Sequence, residues 1–140
     1  MIYIPHQMQS LTDMTSLDIV TCIILNKPDI PYFRDNALYF GFHQVAQVQP
    51  ELQDMDHQYR EYGLPTNPCI ADSLRTLRMM GVLDFDPSYV NQKIAEEKKS
   101  LLIHLLEEEH GQGIVEEFRG LAQRVWKEAA SYQVTLFHVA

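Results

Sequence analysis

Cysteine is scarce in this sequence: Cys22 and Cys69 are the only two, and both fall inside apolar helical patterns. Thiols so placed make no disulfide framework and read as reduced, buried side chains of a cytosolic protein. Cations are outnumbered too, with 11 Lys plus Arg against 19 Asp plus Glu and a formal net charge of −8. Nucleic-acid affinity draws heavily on Lys and Arg neutralising phosphates, so an acidic chain starts at a disadvantage there. The same charge suits docking onto a basic partner surface.

Long apolar runs are missing, since none approaches the roughly 20 residues that cross a bilayer. The opening "MIYIPHQMQS" has neither a basic n-region nor an apolar h-region. A soluble, cytoplasmic chain with no membrane contact is expected. There is no strand-to-helix glycine-rich phosphate loop, because "GQG" joins two helical patterns, and there is no G-x-S-x-G elbow. No internal repeat and no dividing linker is visible. These absences point to a single, non-enzymatic domain without a cofactor.

The 140 residues are 46% hydrophobic, enough for one core without metal or disulfide staples. "TSLDIVTCIILNK" reads as a first helix, with Thr15 and Asp18 as a capping-box variant and apolar residues nearly all round. After the proline-punctuated "KPDIPYFRD", Leu38, Phe42 and Val45 share a helical face interrupted by Gly41. Pro50 opens another helix whose stripe is Leu52, Met55, Tyr59 and Tyr62, closed by Gly63. Asn67 and Pro68 then start a helix carrying Ile70, Leu74 and Leu77, which stops at Gly81.

"VLDF" alternates as a short strand would. Asp86 and Pro87 begin the longest helix, to about His110, with Val90, Ile94, Leu101 and Leu105 inward and "EEKK" solvated. A final helix from Ile114 presents Phe118, Leu121, Val125 and Trp126. "QVTLFHV" reads as a closing strand that pairs with "MIYI" or "VLDF", since its backbone groups need partners. The expected fold is mainly α, about six helices with a small two- or three-stranded β-sheet. It divides into a helix-turn-helix-like core (1–86), an antiparallel helical hairpin (87–132) and a C-terminal strand (133–140).

The segment "IADSLRTLRMMGVLDF" resembles the third helix and second strand of winged-helix domains, over Leu17 to Phe85 at most. The resemblance implies a DNA-binding regulator whose contact residues are Asp72, Arg75, Thr76, Arg78 and Met79. Those side chains fall on the solvent side when the helix is turned 100° per residue, with Arg78 at the margin. Pro87 starts a helix directly after "VLDFD", so only the distant "QVTLFHV" remains for a second wing strand. Two arginines, one of them spaced to pair with Asp72, make a poor reader of DNA.

Two spacings match metal ligation: Asp54 with His57, and Glu107 with His110, as in the Glu-x-x-His pairs of di-iron bundles. Such sites need further inward carboxylates, and these residues lie off the apolar stripes, so no metal is expected. Glu107, Glu108 and Glu109 sit against the negative end of a helix dipole, where they cap a frayed turn or are covered by a basic partner. The leading expectation is therefore a small acidic subunit, adaptor or inhibitor acting by protein–protein contact. A homodimer through 87–132 is the second mode of association; a DNA-binding regulator and a di-metal carboxylate protein are the alternatives.

Overall fold

The computed structural model describes residues 14–28, 33–55, 60–61, 64–83, 94 and 96–139. Helix α1 (Ser16–Leu25) begins where the Thr15 side chain accepts a hydrogen bond from the Asp18 backbone N–H at 3.1 Å. Its residues from Ile19 to Leu25 are all buried, so α1 is the central rod of the core. Helix α2 (Asp35–Ala46) buries Leu38, Phe42 and Val45, and a 3₁₀ turn (Pro50–Met55) follows. Helix α3 (Pro68–Met79) is capped by Asn67, whose Oδ1 accepts from Ile70 N–H at 3.1 Å while its amide donates to Met55 O at 2.9 Å. One buried side chain thus fixes both the start of α3 and the end of the preceding turn.

The expected stop of α3 takes a defined form. Gly81 adopts φ 77°, its N–H donates to Arg78 O, and Val82 N–H reaches back to Leu77 O. This is the paired 5→2 and 6→1 bonding of a Schellman motif, which needs a left-handed residue. Helix α4 (Glu96–His110) ends at the Gly111–Gly113 turn, and the short α5 (Ile114–Glu117) leads into the long α6 (Arg119–Val139).

Helix α6 packs chiefly on α2 and also on α1, while α3 packs on α1. Trp126, the only tryptophan, donates its indole N–H to Ile23 O at 2.8 Å and lies 4.7 Å, centroid to centroid, from Phe33. At Gly41 the backbones of α2 and α6 approach so closely that an added Cβ would press into Val125 O and lie 3.0 Å from Ala129 N. The glycine expected to weaken α2 is a point where α6 backbone leaves no room for a Cβ.

Several expectations need correction. The described residues form a mainly helical structure without the expected β-sheet layer. Besides a single bridge position at Arg34, they pair in extended form as a two-residue rung, Arg60–Glu61 against Leu64–Pro65, too short to make a sheet layer. The C-terminal strand (133–140) is instead the end of α6. No glycine or proline interrupts the chain beyond Gly120, so nothing stops the helix, and Gln133 Oε1 holds its far end by accepting from Arg34 N–H at 2.8 Å. "MIYI" and the end of "VLDF" lie outside the described residues, and Val82 and Leu83 are bends.

Of the helix expected from Pro50 to Tyr62, the described residues show the 3₁₀ turn to Met55 and an extended Arg60–Glu61. A helix unbroken from Pro87 to His110 does not form either, because Ile94 is non-helical and α4 starts at Glu96. A hairpin in which α4 and α6 pack mainly on each other gives way to α6 on α2, for α6 spends its apolar stripe there. Of the two strands that a degenerate winged helix would need, "QVTLFHV" is helical and "VLDF" lies partly outside the described residues. No described helix is long and apolar enough to cross a membrane.

Candidate functional site

Helix α4 carries two neighbouring leucine pairs, and the structure buries Leu102 and Leu106 while leaving Leu101 and Leu105 57% and 48% exposed. This reverses the expected inward face. With Leu105 turned outward, α4, α1 and the end of α3 enclose an open groove of about 480 Å³. Leu17, Leu77, Met80, Leu102, Leu105 and Leu106 line its floor. Met80, just past α3, is 52% exposed although it belongs to this apolar lining. Lys98 fixes that corner by donating to Gly81 O.

The groove's rim is acidic, with Asp18 from α1 and Glu108 and Glu109 from α4. His110, the last residue of α4, meets Asp18 Oδ2 through Nε2 at 2.8 Å, and Glu109 lies 3.9 Å from the same nitrogen. Their side chains are 7% exposed for His110 and 19% for Asp18, so the contact is held by packing. Beneath this corner, burial pushes the Cys22 thiol up to about 12, and the Asp18 charge adds to the shift. Cys22 is therefore a neutral core side chain, not a nucleophile.

The residues singled out in the sequence are scattered over different roles. Arg78 is not at a solvent margin: it makes a two-pronged pair with Asp35 at 2.9 and 3.2 Å, where both side chains are nearly buried. The reason is tertiary, since Asp35 arrives from the first turn of α2. Arg75 is exposed and pairs with Asp72 at 3.0 Å, Thr76 Oγ1 donates to Asp72 O, and Met79 is open to solvent. One of the two arginines assigned to a DNA face is thus committed to the interior and the other already has a carboxylate partner.

Asp72, Ser73 and Thr76 also line a smaller cleft of about 260 Å³ beside Cys69. Glu107 accepts from Gly113 N–H at 2.8 Å and so braces the turn after α4. Glu108, on the groove's rim, also pairs with His104 at 3.2 Å. The Asp54 side chain and His57 lie outside the described residues, so the first metal spacing has no structural counterpart. The second, Glu107 with His110, is not brought together as a ligand pair; Asp18, Glu109 and His110 are.

Sequence reasoning missed Asp18, Leu17 and Met80 as site residues. Asp18 and His110 are 92 positions apart, so no local spacing could have joined them. The adjacent leucine pairs of α4 did carry a signal, in that one pair had to remain outside. No protein-family model, no curated protein and no solved structure matches the chain.

Proposed function

We propose that the protein is an interaction module whose groove between α1, α3 and α4 receives an amphipathic helix with basic residues along its flanks. The observation that carries this reading is the half-exposed apolar floor at Met80 and Leu105 under an acidic rim of Asp18, Glu108 and Glu109. An apolar helix face laid into a groove is a recurrent recognition mode, and anchors at helical spacing fit between two walls that are themselves helices. Covering the exposed parts of Met80 and Leu105 contributes roughly 1 kcal/mol each. Lys or Arg on the partner's flanks would face the three carboxylates, which favours fast association and partner choice more than raw affinity. The net charge of −8 supports a basic partner over a second copy of this chain, because two copies repel.

The test is selection from a displayed library of helical peptides, followed by titration of the enriched sequences. Peptides with one apolar face and flanking Lys or Arg should be enriched. Their binding should weaken with salt, fall on Glu108→Lys with Glu109→Lys, and vanish on Leu105→Glu, an exposed change that leaves the core alone. Enrichment of acidic or uncharged peptides, or binding that ignores Leu105→Glu, would refute the groove. Sedimentation showing a dimer that Leu105→Glu dissociates would assign it to a second copy instead.

A further inference from the structure

We infer that Asp18, Glu109 and His110 form a binding site for one divalent transition-metal ion of the Zn²⁺ class, at the corner where α4 ends against α1. Among the described residues this is the one group of three metal-ligating side chains whose donor atoms all lie within 4.8 Å of one another. Two of the donors are preset. His110 Nε2 and Asp18 Oδ2 stand 2.8 Å apart, about half an ångström inside the roughly 3.3 Å edge of a tetrahedral site, and both side chains are mostly buried. Glu109, 3.9 Å from Nε2 and 67% exposed, is free to turn inward as the third.

The donor chemistry selects the ion. One imidazole with two carboxylates is a borderline set that suits Zn²⁺, Co²⁺ or Mn²⁺, whereas Mg²⁺ and Ca²⁺ favour oxygen alone. Two carboxylates balance the charge of a divalent cation. The backbone adds to this, because the C-terminal end of α4 carries the negative pole of its dipole. Glu107, Glu108 and Glu109 crowd that same pole, an unfavourable arrangement that a bound cation reverses. In the free protein the His110–Asp18 hydrogen bond occupies the position; on binding, Nε2 and Oδ2 each give a lone pair to the ion, and the proton between them passes through solvent to Nδ1. Three protein donors leave coordination positions for water. The site shares Asp18 and Glu109 with the groove's acidic rim, and the titration uses the chain without a peptide, so its outcome is separate from that of the groove.

The experiment is calorimetric titration of the chelator-stripped full chain with Zn²⁺ alone, then Mn²⁺ and Mg²⁺. Expected is about one saturable equivalent of Zn²⁺, weaker Mn²⁺ and no Mg²⁺ uptake. Glu109→Gln, on an exposed side chain that the fold does not need, should weaken Zn²⁺ about tenfold or more, and His110→Gln should abolish uptake. His104→Ala should change nothing, although His104 pairs with Glu108 one turn away. Far-UV circular dichroism checks that His110→Gln remains folded; Glu109→Gln carries the test if it does not. No saturable uptake, wild-type affinity in Glu109→Gln, or loss on His104→Ala overturns the site.

Discussion

Replacing Gly41 by alanine sets two effects against each other. In a free helix the change favours folding by about 1 kcal/mol, because alanine loses less backbone entropy than glycine. Here the new methyl would push into the Val125 carbonyl oxygen and stand 3.0 Å from Ala129 N and 3.2 Å from Ala129 Cβ. The first obstacle is backbone, which cannot swing aside as a side-chain tip can, so α2 and α6 must separate. Overpacking of this kind costs up to about 3 kcal/mol, and separation also thins the contacts between the two faces. One of those contacts is the Phe40–Tyr132 stack, with ring centroids 4.6 Å apart.

The balance is a net loss of about 2 kcal/mol, or roughly 6 °C in Tm for a chain of this size. Gly120 is the internal control, since a Cβ there meets nothing within 4 Å. Gly120→Ala should be neutral or raise stability by up to about 1 kcal/mol. Urea denaturation followed by the emission of Trp126, which is buried against α1, measures both variants. If Gly41→Ala matched or exceeded the wild type, the close approach of α2 to α6 would be wrong.

Arg78→Ala leaves the nearly buried Asp35 carboxylate without its two-pronged partner and should cost about 3–5 kcal/mol, whereas exposed Arg75→Ala should stay within about 0.5 kcal/mol. Equal effects in urea denaturation would contradict the burial of that pair, and lost DNA retention in an Arg78 variant would report unfolding before it reported a DNA contact. Alkaline pH should destabilise the fold, because burial raises the Cys22 thiol from 9.0 to about 12 and also lifts the Tyr39 phenol, which the Asp35 charge reinforces. Both groups are neutral when protonated and ionise first in the unfolded chain, so their stability is complete below pH 9 and is lost as pH rises toward 12. Cys22 alone should contribute a loss of about 1 kcal/mol between pH 9 and pH 10, steepening to about 1.4 kcal/mol per pH unit above that, seen as a smaller loss in Cys22→Ala than in the wild type.

Much of the architecture could be read from local chemistry. The caps at Thr15 and Asn67 and the stop at Gly81 depend on hydrogen bonds between residues a few positions apart, so their letters suffice. The buried stripe of Ile114, Phe118, Leu121, Val125 and Trp126 follows from helical spacing in the same way. "QVTLFHV" reads as a strand in the sequence and is helix in the structure. The uninterrupted α6 and the grip of Gln133 on Arg34 decided for helix.

The candidate site belongs to the other category. On α4, Leu101–Leu105 and Leu102–Leu106 are chemically the same pair shifted by one residue, and only the position of α1 and α3 chooses which turns inward. Arg78 looks like a surface cation until α2 delivers Asp35, and His110 looks like an exposed imidazole until α1 delivers Asp18. The sequence by itself determined where helices start, stop and carry an apolar stripe, because those forces act within a turn or two. Which side chains meet across helices, and so where groove and ligand cluster lie, was decided only by packing among distant segments.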